Sequence, residues 1–230
     1  MTGRPHREWR STHDHPELAR TGFVTTHLDA VVIDLGCGFD PRPARCGAPD
    51  DVDWFSVDLP PIADLRRQFV HVPEHVIGAD VTSSSWLDTI PRDRPAIVVS
   101  DGLMALLSDE EYRTVIRSVT EHFRAGEVAF LAYSRLAVRN SRRVRISALH
   151  VPTRGEGIDD PHEPEAWNAG LVLRRELFKS HAKEIRLFPP LLRAITRLCE
   201  RSPRIARAGG RVLHYTFNRS THSLTPATRR

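Results

Sequence analysis

The sequence contains few of the features that mark secreted, metal-bound or membrane-spanning proteins. Its three cysteines, Cys37, Cys46 and Cys199, are too few and too scattered for a disulfide framework or a zinc site. No apolar run approaches the roughly 18 residues of a transmembrane helix. Residues 1–20 are polar and carry no apolar signal-peptide core. We therefore expect a cytoplasmic protein with no bound metal and no membrane partner.

Lysine is almost absent, since only Lys179 and Lys183 occur among the 33 basic residues, and the charges are unevenly spread. Residues 1–134 hold 13 basic and 21 acidic residues, a net −8, whereas residues 135–230 hold 20 and 8, a net +12. A basic half is typical of nucleic-acid binders and of enzymes for acidic substrates. Residues 134–165 have no aromatic side chains for bases to stack on, and only Trp167 lies nearby. We therefore expect no nucleic-acid partner.

Alternating strand-like and helix-like segments predict one α/β domain, and 230 residues fit one large domain better than two small ones. A capping box at Ser108 and Glu111 starts the clearest helix, which we expect Gly126 to close. Two late strands around a helix indicate a mainly parallel sheet that ends in an antiparallel pair, with helices on both faces. The predicted strands are 31–35, 53–58, 75–78, 96–100, 127–133, 171–178 and 211–217, and the predicted helices are 64–70, 86–90, 109–125 and 189–200.

A glycine motif follows the first predicted strand. Gly36 and Gly38 would let the backbone approach a ligand closely. Position 41 is proline, so the third glycine of the dinucleotide motif, which serves packing near a pyrophosphate, is missing. Asp58 ends the second strand 20 residues after Gly38 and could accept hydrogen bonds from two ribose hydroxyls. The glycine motif together with Asp58 favours an adenosine-containing ligand. The alternative that Asp58 is an ordinary strand-end residue stays open.

An ordered set of segments between about residues 31 and 217 resembles the leucine carboxyl methyltransferase-like family. That family belongs to the class I S-adenosylmethionine (SAM) methyltransferases, and within it the set is most similar to the tetracenomycin-type polyketide O-methyltransferases. The segments are Val31–Asp40, Val52–Pro60, Asp64–Arg67, Ser85–Asp88, Ser100–Met104, Ser108–Glu111 and Tyr133–Arg139. The resemblance implies a Rossmann-like, seven-stranded methyltransferase domain over 31–217. From the residues at the two ends of the sequence we expect a short helical segment over 1–30 and a flexible tail over 218–230.

The resemblance also implies a binding site for SAM, with S-adenosylhomocysteine (SAH) as product. Gly36 and Gly38 would pass under the amino-acid portion of SAM, and Asp34 would hold its ammonium group. Asp58, with the adjacent Leu59, would bind the ribose. The remaining implied contacts are Asp80 and Val81 at the adenine edge, Asp101 facing SAM, and Arg20 pairing with the SAM carboxylate.

The chain departs from the family at positions that the resemblance places in the site. It has Asp101 where the family usually has Glu, and Ala105 where the family often has Tyr. The segment before the first strand is short, so the pocket is either open or completed by a partner chain, and a homodimer is one alternative.

A small-molecule acceptor, anionic or phenolic, would lie on the other side of the cofactor. The basic half is expected to cover this side. Arg135 and Arg139 could hold an anionic group through their planar guanidinium forks. The predicted acceptor contacts are Met104, Tyr133, Arg135 and Arg139, and the predicted catalytic groups are Tyr133 and His150.

Two enzymatic functions follow. The first is a SAM-dependent O-methyltransferase of bacterial secondary metabolism, which methylates a carboxyl or aromatic hydroxyl of a polyketide-like molecule by in-line displacement. The alternative is a protein of this fold that has lost methyl transfer and catalyses a cyclisation or rearrangement in natural-product biosynthesis. Asp101, Ala105 and the short N-terminus favour the alternative.

Overall fold

The computed structural model describes residues 29–46, 52–143, 153–167, 169–178 and 210–219. Within them lie seven strands, five α-helices and two 3-10 helices. The strands are β1 (Val31–Leu35), β2 (Asp53–Asp58), β3 (His75–Gly78), β4 (Ala96–Ser100), β5 (Ala125–Ala132), β6 (Leu171–Phe178) and β7 (Arg211–Asn218). The helices are α1 (Arg42–Arg45), α2 (Pro60–Phe69), α3 (Leu103–Leu106), α4 (Asp109–His122) and α5 (Arg135–Arg143), and the 3-10 helices are Ser84–Thr89 and Glu163–Trp167.

All seven strands form one sheet in the order β3-β2-β1-β4-β5-β7-β6. The pairs among β1 to β5 are parallel, and β7 runs antiparallel to both β5 and β6. The β-branched runs of β1 and β4 are buried on both faces, as parallel strands between two layers must be. The predicted fold class is therefore confirmed, including the antiparallel end of the sheet.

The larger core lies on the face of the sheet that α4 covers. Ser108 accepts from the Glu111 amide while the Glu111 side chain accepts from the Ser108 amide, so the predicted capping box is confirmed. Helix α4 buries its apolar side against the sheet. Phe130 of β5 stacks on Trp167 and Tyr215, with ring centroids 6.1 and 5.6 Å apart. The opposite face holds a smaller cluster from β1, β2, β4, β5 and β7.

Several boundaries differ from the predictions, including the start of α2, which is at Pro60 rather than residue 64, and that of β5, which is at Ala125 rather than residue 127. Helix α4 ends at His122, and Gly126, predicted to close it, lies inside β5. A Cβ there would come within 2.3 Å of the Ala96 carbonyl oxygen, so the glycine serves strand packing. Strand β7 reaches Asn218, one residue into the predicted tail. The predicted helix over 189–200 lies outside the described residues, as does nearly all of the segment 1–30. Among the described helices, none is long and apolar enough to cross a membrane.

Candidate functional site

The candidate site lies along the carboxyl edge of the parallel strands. The strand order reverses between β1 and β4, because β2 lies on one side of β1 and the chain returns through β4 on the other. In an open α/β sheet, the connections leaving two such strands diverge and leave a crevice for a ligand. Residues 36–40, which we call the glycine loop, leave β1 at this point.

The glycine loop has a backbone that L-amino acids with side chains rarely adopt. Gly36 and Gly38 have φ angles of 67° and 52°. A Cβ on Gly38 would meet nothing within 4 Å, so the backbone angle rather than lack of space favours glycine there. The Gly36 amide donates to the Val57 carbonyl at 2.8 Å, which ties the start of the loop to β2.

The carboxylate of Asp58, at the end of β2, is held beside this loop. Its Oδ2 accepts from the Gly38 amide and its Oδ1 from the Leu59 amide, each at 2.8 Å. The side chain is half-buried. A carboxylate oxygen accepts more than one hydrogen bond, so both oxygens keep capacity for further donors. Asp58 is thus held in a fixed position beside the glycine loop, at the strand end where the sequence analysis predicts a ribose contact.

Asp34 of β1 is fully buried on the side of the sheet with the smaller core. Its Oδ1 accepts from Arg42 Nη1 at 2.9 Å, and its Oδ2 has no hydrogen-bond partner within the part of the chain that the structure describes. Burial raises the pKa of Asp34 to about 6, although Arg42 and Arg66 act against it. A buried carboxylate oxygen with spare acceptor capacity suits a ligand cation.

Arg42 is a site residue that the sequence analysis missed. Its guanidinium lies 2.9 Å from Asp34, 3.3 Å from Asp40 and 3.8 Å from Asp101. It therefore joins the strand, the glycine loop and the residue after β4. The sequence signal that could have identified Arg42 is its position two residues after the glycine loop. Its ion pairs with Asp34 and Asp101, which lie 8 and 59 residues away, leave no local sequence pattern.

Asp80 and Val81 follow β3 at the same edge of the sheet. Asp80 is exposed, and its Oδ1 accepts from the amide and hydroxyl of Thr82 at 2.9 and 2.8 Å. Val81 is buried, and its carbonyl accepts from the indole of Trp86. The structure thus brings Asp34, Gly36, Gly38, Asp58, Leu59, Asp80, Val81 and Asp101 to one edge. Arg20 lies outside the described residues.

Tyr133 follows β5 and lies near Asp101, which follows β4. Burial raises the pKa of Tyr133, and the charge of Asp101 raises it further. The phenol therefore stays protonated at neutral pH and can donate a hydrogen bond, but it is a poor base. Met104, predicted as an acceptor contact, is buried in the larger core. His150, the other predicted catalytic group, lies outside the described residues.

Arg135, predicted to hold an anionic acceptor, is already paired. Its two terminal nitrogens donate to the two carboxylate oxygens of Glu163 at 2.9 and 2.6 Å. Its amide donates to Asp159 at 3.0 Å. Arg139 is exposed on α5. The bidentate pair satisfies the guanidinium fork that the prediction assigned to a substrate.

The segment 153–167 is acidic, contrary to the expectation that the basic half covers the acceptor side. It carries Arg154 but also Glu156, Asp159, Asp160, Glu163 and Glu165. The positive charge of residues 135–230 is therefore not concentrated in segment 153–167, which is described in full by the structure. Composition averaged over 96 residues hid this local reversal of sign.

The start of this segment, residues 153–158, lies against α3 and Tyr133, and we call it the acceptor-side loop. The Arg154 amide donates to the Ala105 carbonyl and the Ile158 amide to the Tyr133 carbonyl, both at 2.9 Å. A Cβ on Gly155 would come within 2.3 Å of the Met104 carbonyl oxygen. The sequence analysis predicted none of these attachments, since main-chain contacts leave no mark on side-chain patterns.

Comparison with known proteins agrees with this geometry. Residues 19–120 match the leucine carboxyl methyltransferase family. The chain is 37% identical over 158 residues to the tetracenomycin polyketide synthesis O-methyltransferase TcmP of Streptomyces glaucescens. This match covers 67% of this chain and 58% of TcmP. It is 30% identical over 171 residues to the S-adenosyl-L-methionine-dependent methyltransferase dpfgK of Gibberella zeae, covering 66% and 56%. The chain thus spans little more than half the length of these curated relatives.

A solved structure shows the same fold. The magnesium protoporphyrin IX methyltransferase of Synechocystis PCC 6803, determined with bound SAH, superposes with a TM-score of 0.51 at 11% identity, covering 87% of this chain and 80% of that one. The predicted resemblance to the leucine carboxyl methyltransferase family and to tetracenomycin-type O-methyltransferases is therefore confirmed, and the sheet is that of the class I SAM methyltransferases.

Proposed function

Because the chain is similar to leucine carboxyl methyltransferases and has their fold, we propose that it is a SAM-dependent O-methyltransferase acting on a polyketide-like small molecule. One observation carries the proposal. Asp58 is fixed at the carboxyl end of β2 by the amides of Gly38 and Leu59, beside a loop whose glycines have positive φ angles. This geometry suits the ribose of an adenosine ligand that has no pyrophosphate.

The residues at the crevice fit SAM in charge as well as in shape. SAM carries a sulfonium and an ammonium group, and Asp34, Asp58 and Asp101 place three carboxylates along the edge. The Asp34 Oδ2 atom, which lacks a partner within the described ranges, would accept from the ammonium group directly or through water. Gly38 leaves open space beside its Cα for the amino-acid portion. TcmP and dpfgK, by their names, are methyltransferases as well.

Methyl transfer needs alignment and exclusion of water more than acid–base chemistry. When bound, SAM would supply an electrophilic methyl group whose leaving group is a neutral thioether. The glycine loop and Asp58 would hold the cofactor, and the loop 153–158, bound to the Tyr133 carbonyl, would close the acceptor side. The protonated Tyr133 hydroxyl would donate a hydrogen bond that orients the acceptor oxygen.

Of the two acceptor groups considered, the local charges favour an aromatic hydroxyl over a carboxylate. Asp101, Asp159 and Glu163 are acidic, and Arg135 is engaged by Glu163. Exposed Leu106 and Leu136 follow β4 and β5 and offer apolar surface for a ring system. A phenol gains from a general base, and with Tyr133 held protonated that role falls to a histidine such as His150.

The alternative, loss of methyl transfer in favour of a cyclisation or rearrangement, has weaker support. Asp101 remains within ion-pair distance of Arg42 at the cofactor edge despite its shorter side chain. Both curated relatives described above are named for methyl transfer. The alternative therefore becomes an outcome of the test.

Calorimetric titration with SAM and with SAH tests cofactor binding. We expect both to bind, and Asp58→Ala to weaken binding by about 1–3 kcal/mol, the range for a hydrogen bond that involves a charged group. Asp64→Ala is the matched control, since Asp64 is exposed on α2 and pairs with Arg67. Absence of binding by the unmodified protein would rule out the proposal. Binding without methyl transfer to a panel of phenols and carboxylates would instead support the alternative.

A further inference from the structure

Helix α2 lies next to the glycine loop and carries a fully buried arginine. Arg66 has 0% of its surface exposed, whereas its neighbour Arg67 is exposed. The segment Asp64–Arg67 is one of those that carry the family resemblance, yet the site described above gives it no task. A buried guanidinium must have partners for its donors, because an unpaired charge in the interior costs several kcal/mol.

Arg66 uses its donors in two directions. Nη1 donates to the Gly38 carbonyl at 2.8 Å, and Nη2 to the Asp40 carbonyl at 3.0 Å. On the other side, Nε and Nη2 donate to the two carboxylate oxygens of Glu74 at 2.9 and 2.8 Å. The guanidinium plane thus joins the glycine loop to the segment before β3.

Glu74 is itself held from β2. Its side chain is 2% exposed, and the Ser56 hydroxyl donates to its Oε2 at 2.5 Å. Burial acts to lower the pKa of Arg66, but the hydrogen bonds and charge of Glu74 outweigh burial and raise it. The three side chains form a continuous chain from β2 through Glu74 and Arg66 to the glycine loop.

Gly38 is the residue through which this series of hydrogen-bonded side chains reaches Asp58. Its carbonyl accepts from Arg66, and its amide donates to Asp58. Holding the carbonyl fixes the peptide unit that follows Gly38, and with Asp40 it restrains the loop at two points. Lysine could not do this, because an ammonium group lacks the planar fork that reaches two carbonyls and a carboxylate together.

We propose that Arg66, oriented by Glu74 and Ser56, is a positioning residue that fixes the glycine loop in the conformation in which the Gly38 amide holds the Asp58 carboxylate for the cofactor. Arg66 touches no ligand in this role. The inference rests on the proposed function for the identity of the cofactor, but the restraint on the loop is a property of the protein alone.

The test separates this role from a contribution to folding. Arg66→Met alone leaves Glu74 buried without its partner, so the double variant Arg66→Met/Glu74→Gln removes both charges, while the new side-chain amide can still accept from Ser56. Arg66→Lys is the second variant and keeps the positive charge. Arg67→Met is the matched control, since Arg67 is exposed and bonds to Asp64 and the Val76 carbonyl. Each is measured for thermal unfolding, for SAH binding by calorimetry and for amide hydrogen exchange over residues 36–40.

We expect the double variant and Arg66→Lys to bind SAH at least tenfold more weakly than Arg67→Met, at a temperature where all are folded. The amides of residues 36–40 should exchange faster in those two variants, with protection of β4 and β5 unchanged. Unchanged exchange and affinity in the folded variants would overturn the inference. If the unmodified protein binds no SAH, the proposed function fails, and the exchange measurement alone still decides whether Arg66 restrains the loop.

Discussion

The two ends of the carboxyl edge of the sheet differ in how deeply their ion pairs are buried. On the side of β1, β2 and β3, two charged pairs lie inside the protein: Arg66 with Glu74, and Arg42 with Asp34, all less than 10% exposed. On the side of α5 and segment 153–167, the pair Arg135 and Glu163 is 39% and 28% exposed. Buried pairs tolerate no change of one member, whereas surface pairs contribute little. The difference predicts that the proposed cofactor side is rigid and that the proposed acceptor side can vary.

Removal of one carboxylate from each side tests this contrast most strongly. Glu74→Ala leaves Arg66 buried and unpaired and should lower the free energy of unfolding by about 3–5 kcal/mol. Glu163→Ala should lower it by about 1 kcal/mol or less. Urea unfolding of both variants at neutral pH measures the two values. Equal losses would remove the distinction between the two sides.

Asp34 gives the next largest effect, through pH. Burial raises its pKa from 3.8 to about 6, so the folded state binds more protons than the unfolded state between pH 4 and 6. Stability therefore falls as the pH rises through this range, by about 3 kcal/mol for this group. In Asp34→Asn that loss is absent.

Urea unfolding from pH 3.5 to 7 checks this sign. The free energy of unfolding of Asp34→Asn, minus that of the unmodified protein, should increase with pH and level off above pH 6. A difference that is flat, or that decreases, would mean that Arg42 outweighs desolvation at Asp34.

Gly155 probes the acceptor side by shape rather than charge. In Gly155→Ala the new Cβ would meet the Met104 carbonyl oxygen, so the acceptor-side loop must shift, at a cost of about 1–3 kcal/mol in stability. We expect the KM for the methyl acceptor to change and the SAH affinity to stay the same. Glu156→Ala, at an exposed neighbouring position, is the control. A loss of SAH affinity in Gly155→Ala would show that the two sides are mechanically coupled.

Tyrosine titration gives the smallest signal and reports on charge at the acceptor side. Burial raises the pKa of all three tyrosines, Tyr112, Tyr133 and Tyr215, and Asp101 adds to the effect at Tyr133. Absorbance at 295 nm should therefore show tyrosinate forming at higher pH than in free tyrosine. Asp101→Asn should lower the pKa of the step that Tyr133→Phe removes. A step near 10 in the unmodified protein, absent in Tyr133→Phe, would contradict the placement of Tyr133 beside Asp101.

The sequence allowed us to predict the structural elements that depend on patterns within a few consecutive residues. The β-branched runs of β1 and β4 and the capping box at Ser108 specify their elements, because burial and helix capping act over a few residues. Asp58 could be placed at the site because the carboxyl ends of parallel strands meet at one edge. These rules need no knowledge of distant contacts.

What the sequence did not reveal depends on partners far apart in the chain. Arg66 reaches Gly38 over 28 residues, and Arg135 reaches Glu163 over 28. Arg66 is thus a buried support of the glycine loop, and Arg135, predicted to hold an anionic acceptor, forms an ion pair with Glu163 instead. Arg42 was missed for the same reason, because its ion pairs with Asp34 and Asp101 join residues that only the folded sheet brings together.

The way the acceptor-side loop is attached has a consequence for engineering. Its main-chain bonds to the rest of the domain include those from the amides of Arg154 and Ile158 to the carbonyls of Ala105 and Tyr133, and its close contact at Gly155 is with backbone. Side chains at exposed positions such as 154 and 156 can therefore be exchanged without breaking these attachments. Libraries randomised at these two positions, with Gly155 kept, should retain the folded domain while sampling new acceptors.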